Sequence, residues 1–288
     1  MSVPFPAELP AILVDDAVVA ALREDLGLAG DITSAATIAP EATATAALVA
    51  REGGIVAGLA LAEAAFRHQR GSVRFAALAA DGDRVADGAV VARVSGNARA
   101  ILSGERVALN YMQHLSGIAT HTARFVAKVA HTGARICCTR KTIPGLRAFE
   151  KYAVRCGGGA NHRYGLYDAV LIKDNHIAVA GSVTAAIAAA RAYVGHLVAI
   201  EVEVDSLAQL REALAAEVPC VLLDNFDVAG LREAVALTAG RCRLEASGGV
   251  NLDSVAAIAE TGVDYVSTSK ITVGAPPLDL ALDIEVDT

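Results

Sequence analysis

Residues 135–176 read RICCTRKTIPGLRAFEKYAVRCGGGANHRYGLYDAVLIKDNH, and two short apolar runs inside them, Ile136–Cys138 and Ala169–Ile172, end directly in charge. The first runs into Thr139-Arg140-Lys141 and the second into Lys173-Asp174-Asn175. Parallel strands covered on both faces read as unbroken apolar runs, so both are expected to be buried strands. Side chains at the carboxyl ends of such strands stand where α/β barrels and open α/β sheets build their sites. The stretch holds eight of the chain's 25 Lys and Arg, opposed only by Glu150, Asp168 and Asp174, in a chain of formal net charge −7. A cationic pocket in an acidic protein is a local requirement. Arg offers a planar fork that matches carboxylate or phosphate, and Lys a compact point charge. The reading is a pocket for a small, multiply charged anion. A nucleic-acid groove fits less well, because the overall charge is negative, Trp is absent and no RNP-type aromatic pattern occurs.

Downstream the chain alternates strand and helix. Helices are expected at Ser182–Tyr193, Leu207–Ala215, Val228–Leu237 and Leu252–Glu260, and strands at Val198–Val204, Cys220–Leu223, Arg243–Ala246 and Tyr265–Ser267. Crossover helices imply parallel pairing with right-handed connections. Six strands fall short of the eight of a full barrel. The expected fold is α/β: an N-terminal α+β domain plus an incomplete, about six-stranded parallel α/β barrel.

Upstream, Asp15 or Asp16 is expected to cap a helix running to about Leu26. Strands follow at Thr43–Val49, Val73–Leu78 and Ala89–Val94, with a helix at Leu59–Arg67. The turn-and-strand signature 81–94 resembles the hammerhead of lipoyl and biotinyl domains, but no Lys occurs between Arg51 and Lys128 to act as a carrier, so the unit is structural. A long helical pattern from Ala98 continues to Lys128. The alternating tail 276–283 is expected to return to the first domain as a strand. The domains are therefore drawn as 1–117 plus 275–288, and 118–274.

Strand ends, taken in order, carry Arg140 and Lys141, Lys173, Glu203 and Asp205, Asp224 and Asn225, Glu245 with Ser247-Gly248-Gly249, and Ser267 to Ser269. Cations on the first two strands suit an anionic substrate. Glu203 and Asp224 suit a divalent metal or the hydroxyls of a sugar. Ser247-Gly248-Gly249, opening a helix capped near Asn251 or Asp253, offers backbone N–H groups to a phosphate.

The segments TRKTIPGLRAFEKYAVRCGGGANHR (139–163) and LIKDNHI (171–177) resemble the quinolinate phosphoribosyltransferases, the decarboxylating nicotinate-nucleotide pyrophosphorylases of NAD biosynthesis, and the likeness runs from about Leu22 to about Asp283. The resemblance implies transfer of phosphoribosyl from phosphoribosyl pyrophosphate to quinolinate, with Mg²⁺. It implies that Arg106, Thr139, Arg140, Lys141, His162, Arg163 and Lys173 grip the quinolinate carboxylates and the phosphates. It implies that Glu203 and Asp224 position the ribose and its Mg²⁺, directly or through water, and that Ser247, Gly248, Gly249, Ser267, Thr268 and Ser269 hold the 5-phosphate. Lys141, Lys173, Glu203 and Asp224 stand as the catalytic set. Arg106 is implied to reach into the site of a neighbouring subunit, hence a homodimer or higher. The chain departs from the family's Ser-x-Gly-x-Leu-Thr pattern at Ser267-Thr268-Ser269-Lys270-Ile271-Thr272.

Two alternatives stay open at this level: an aldolase-type barrel with Lys173 as Schiff-base nucleophile, and a paralogue associated with molybdenum transport and acting on another substrate. With 54% hydrophobic and 20% charged residues, the chain buries a large core. No apolar run reaches a membrane span, the first ten residues lack a signal-peptide core, and five Cys without metal spacing suit reduced thiols. The expected location is the cytoplasm, with no membrane and no nucleic-acid partner.

Overall fold

Alternation along Ile200-Glu201-Val202-Glu203-Val204 shows how sequence builds the second half of the chain. Ile200, Val202 and Val204 are buried, while Glu201 and Glu203 share the opposite face. The computed structural model describes residues 8–285, so the outer ends of the expected N-terminal domain, 1–7 and 286–288, lie outside the described residues. The chain divides into two compact units. One comprises 1–121, 149–158 and 275–288, and the other 122–148 and 159–274.

In the first unit, α1 (Ala11–Leu26), α2 (Ile32–Thr37), β1 (Thr43–Ala50), β2 (Gly54–Ile55), α3 (Leu59–Arg67), β3 (Val73–Ala77), β4 (Arg84–Val85) and β5 (Val90–Asn97) precede the 32-residue α4 (Ala98–Val129). From Thr122 onward, α4 groups with the second unit. The expected Asp cap on α1 is not found. The helix starts earlier, after Pro10, and Asp15 instead pairs with Arg67 and with His68 at 2.8 Å. The tail does return: β12 (Leu280–Glu285) lies antiparallel beside β1, in a sheet ordered β12-β1-β5-β3. Gly117 lets the tail cross α4, because a Cβ there would stand 2.1 Å from the Pro276 carbonyl oxygen.

The second unit contains β6 (Arg135–Cys137), β7 (Val170–Ile172), α6 (Asp174–Ala180), α7 (Val183–Tyr193), β8 (Ile200–Val204), α8 (Leu207–Ala215), β9 (Cys220–Asp224), α9 (Val228–Thr238), β10 (Arg243–Ser247), α10 (Val255–Ala259) and β11 (Tyr265–Ser267). Its six strands are parallel in the order β6-β11-β10-β9-β8-β7. Cys137 also forms a parallel bridge to Ala160, so a one-residue seventh segment flanks β6. The barrel is incomplete, as the strand count anticipates. Short Ser and Asp caps start its outer helices: Ser182, Ser206 and Asp227 accept from Ala185, Gln209 and Gly230 backbone N–H groups.

Between Arg140 and the glycine turn lies α5 (Arg147–Cys156), which groups with the first unit although it falls inside 118–274. Its buried face explains this grouping. Phe149 meets Tyr111 edge-on at 6.2 Å, His114 Nε2 lies 3.0 Å from Glu150 Oε1, and the Tyr152 hydroxyl donates to Asp81 at 2.9 Å. Among the described residues, no helix is long and apolar enough to cross a membrane.

Candidate active site

Strand ends converge on a cavity of about 950 Å³ in the second unit. Its wall includes Thr139, Arg140, Lys141, His162, Arg163, Lys173, Glu203, Asp224, Ser247, Gly248, Gly249, Ser267, Thr268 and Ser269, every residue expected there except Arg106. Arg106 is exposed on α4 in the first unit. Asp205, also at a strand end, is exposed and outside the wall. Asp205 lies one residue past the end of β8, where its backbone N–H donates to Gln209 Oε1 at 2.9 Å as the chain turns into α8.

The cations fall into two kinds. Lys173 Nζ is held by Glu203 Oε2 at 2.9 Å, and the Lys173 backbone N–H is received by His176 Nδ1. Commitment of the Lys173 side chain to a carboxylate suits charge pairing better than attack on a carbonyl. Arg140 and Arg163 differ: the Nε of each is buried and finds no hydrogen-bond partner among the described residues. Burial, then the neighbouring Arg140 charge, presses the Arg163 guanidinium below its ordinary pKa. Both side chains line the cavity, so an anion bound there would offset the repulsion between the two guanidinium groups. Arg147, by contrast, is structural: it bonds Thr142 Oγ1 at 3.0 Å and the Tyr164 carbonyl at 3.0 Å.

The opposite wall is made from backbone and small side chains. Gly248 has φ +97°, and a Cβ there would stand 2.1 Å from Asn225 Oδ1. Asn225 itself is left-handed at φ 57°, gives its backbone N–H to the Ser247 carbonyl at 2.9 Å, and donates through Nδ2 to Asp224 Oδ2 at 2.8 Å. The turn after β10 and the acid after β9 are thereby locked together. The expected helix opening at Leu252 is shorter, Val255–Ala259, and Asn251 Oδ1 receives the Asp253 and Ser254 backbone N–H groups. The loop must therefore meet a ligand with its own N–H groups rather than with a long helix's dipole. After β11, Thr268 Oγ1 receives the Lys270 backbone N–H, and Lys270 joins the cavity wall.

One residue escaped strand-end reasoning, and another was placed by it without its backbone geometry. Glu201 lies mid-strand, below Glu203 on the same face of β8, and contacts His162 at 2.8 Å. Asn225 is set apart by its left-handed backbone, which sequence signals only through the general tolerance of Asn for that region.

Models of two family domains match the chain: quinolinate phosphoribosyl transferase, N-terminal domain, over 31–116, and quinolinate phosphoribosyl transferase, C-terminal domain, over 118–283. The chain belongs to the quinolinate phosphoribosyltransferase family. Among its relatives, the Mycobacterium leprae nicotinate-nucleotide pyrophosphorylase (carboxylating) is 44% identical over 274 residues, covering 93% of this chain and 96% of that one. Quinolinate phosphoribosyltransferase (decarboxylating) 2a of Nicotiana tabacum is 42% identical over 285 residues, covering 93% and 81%. The solved structure of the nicotinate-nucleotide pyrophosphorylase from Francisella tularensis superposes with a TM-score of 0.93 at 39% identity, covering 96% of this chain and 98% of that one. As a quinolinate phosphoribosyltransferase family member, the chain is a phosphoribosyl-transferring enzyme of NAD biosynthesis, and neither the aldolase nor the transport-associated reading is favoured.

Proposed function

We propose that this cavity binds quinolinate and phosphoribosyl pyrophosphate and joins them, releasing pyrophosphate and CO₂ and leaving nicotinate mononucleotide. One observation carries the assignment of the site: two guanidinium groups, Arg140 and Arg163, sit in one cavity with their buried Nε atoms lacking a hydrogen-bond partner among the described residues. A pyridine dicarboxylate supplies the two carboxylates that such forks accept. Arg140, Arg163, Lys141 and Thr139 hold that end. Ser247, Gly248, Gly249, Ser267, Thr268 and Ser269 hold the 5-phosphate with backbone and hydroxyl donors.

The chemistry needs little from the protein beyond placement and charge. The pyridine nitrogen brings its own lone pair, so no general base activates it. As the new C–N bond forms at the ribose carbon, the C–O bond to pyrophosphate breaks and its electrons leave with the pyrophosphate. Glu203 and Asp224 lower the energy of the positive character that develops on the ribose. Lys173, paired with Glu203 at 2.9 Å, fixes that carboxylate and faces the leaving phosphates. The pyridinium then accepts the electrons released when the adjacent carboxylate departs as CO₂, and a proton from water replaces it.

Glu203 and Asp224 also fit Mg²⁺. Lys173 takes one Glu203 oxygen and Asn225 one Asp224 oxygen, and the carboxylates offer the hard donors this ion takes, directly or through water. Held there, Mg²⁺ would supply positive charge to offset that of the leaving pyrophosphate. Arg106 completes the site from a second copy of the chain, which makes the active form a homodimer or larger, and the cytoplasm is where both substrates meet it.

Purified protein given quinolinate, phosphoribosyl pyrophosphate and Mg²⁺ should form nicotinate mononucleotide with stoichiometric CO₂, and absence of product refutes the assignment. Mixing two inactive variants, Arg106→Ala and Lys173→Ala, should restore activity through hybrid sites. Failure to restore it removes Arg106 from the partner's site.

A further inference from the structure

The chain after β11 departs from the family's pattern at Ser269 and Lys270, and the structure fixes that departure in place. Ser269–Ile271 forms a single 3-10 turn. Thr268 Oγ1 receives the Lys270 backbone N–H at 3.2 Å and donates to the Val250 carbonyl at 3.2 Å, in the loop that follows β10. On the other side, the Thr272 hydroxyl donates to the Lys141 carbonyl at 2.8 Å, in the loop that follows β6. Strand order explains the double anchorage, since β11 pairs with β6 along one edge and with β10 along the other. Thr268, Ile271 and Thr272 are buried, and Lys270 between them is an exposed part of the cavity wall. Ser269 is not among the residues of positive φ, so its side chain stands in the turn without backbone strain.

Position separates Lys270 from the other cations of the wall. Arg140, Lys141, Arg163 and Lys173 follow β6, the Ala160 segment or β7. Among the described wall residues on or after β8, β9, β10 and β11, Lys270 is the single cation, and Glu203, Asp224 and Glu245 are acids. The Lys270 side chain enters no ion pair or hydrogen bond among the described residues, whereas Lys173 is committed to Glu203 at 2.9 Å. Gly274 leaves room for the Lys270 stem, because a Cβ there would stand 3.3 Å from Lys270 Cδ and 3.1 Å from its Cα.

A phosphate monoester carries about −1.5 to −2 charges at neutral pH. The Ser247-Gly248-Gly249 turn offers such a group neutral donors only, and Glu203 and Asp224 on the same wall repel it. A full positive charge on that side offsets the repulsion, and an ammonium on a flexible stem brings it with three donors. We infer that Lys270 is a specificity-determining residue for the 5-phosphate of the phosphoribosyl group, pairing its ammonium with a phosphate oxygen. This deepens the function proposed above and rests on it. One side chain thereby sharpens the distinction between phosphorylated and unphosphorylated riboses.

The test compares the full-length wild type with Lys270→Met, which keeps an unbranched side chain and removes the charge. Thermal melts of the two should agree, since the side chain is exposed. By calorimetry, affinity for ribose 5-phosphate and for nicotinate mononucleotide should fall about tenfold in the variant, the worth of one charge-assisted hydrogen bond open to solvent. Affinity for the same nucleoside without its phosphate, and for inorganic pyrophosphate with Mg²⁺, should change by less than about twofold, because those ligands lose no contact. In steady state the phosphoribosyl pyrophosphate KM should rise while the quinolinate KM holds. Absence of ribose 5-phosphate binding, equal binding by the two proteins, or an equal loss for pyrophosphate or the unphosphorylated nucleoside overturns the inference. If wild type makes no nicotinate mononucleotide, the proposed function falls, and the ribose 5-phosphate comparison alone decides this one.

Discussion

Replacing Gly248 by Ala puts a methyl group where the structure leaves no room. The new Cβ would lie 2.1 Å from Asn225 Oδ1, 2.7 Å from its Cγ and 2.9 Å from its backbone N, so rotation of the amide alone cannot clear it. The backbone is at φ +97°, a region that costs an L-residue about 1–2 kcal/mol. Forcing a methyl group into a filled site adds about 1–3 kcal/mol. The sum, about 2–5 kcal/mol, corresponds to a loss of roughly 4–20 °C in Tm at about 2–4 °C per kcal/mol. Gly249 is the internal control. Its φ is +63° and nothing lies within 4 Å of an added Cβ, so Gly249→Ala should cost about 1 kcal/mol. Relief of the Gly248 clash must move Asn225, which is bonded to Asp224 at 2.8 Å, so the damage should reach the Asp224 side of the cavity. Scanning fluorimetry and the phosphoribosyl pyrophosphate KM, measured on both variants, read this out. Equal, mild effects in the two would refute the claim that the approach of Gly248 to Asn225 sets the site.

Arg140→Lys keeps the charge but loses the fork, and kcat/KM for quinolinate should fall about 10–100-fold, the worth of one charge-assisted hydrogen bond. Retained kcat/KM would show that charge alone suffices. Asp31 caps α2, and hydrogen bonds from Ser34, then Ser103, hold its carboxyl below the ordinary 3.8. A depressed value means that the stabilisation is complete above that pH and disappears as pH falls through the folded value. Asp31→Ala should therefore lower stability by about 1 kcal/mol at neutral pH and by progressively less in acid. Thermal melts across that range check it. Burial raises the Cys156 and Cys220 thiols, so both should resist iodoacetamide at pH 8 until the protein unfolds, as peptide mapping would reveal.

Local signals were enough for much of this protein. Leu59–Arg67, Leu207–Ala215 and Tyr265–Ser267 have the bounds their periodicity implies. Charge following an apolar run located Arg140, Lys141 and Lys173 at the cavity, because the end of a buried strand is where a polar group first meets solvent. Those signals act over a few residues. What the tertiary structure alone decided joins residues far apart in sequence, where no period or local charge pattern reports a contact. Examples are the Ala160 segment beside β6, Gly248 against Asn225, and α5 grouping with Tyr111 and Asp81. His162 is the clearest case. Its place near an anion site was legible from its neighbours. Its contact with Glu201, 39 residues away on another strand, was not.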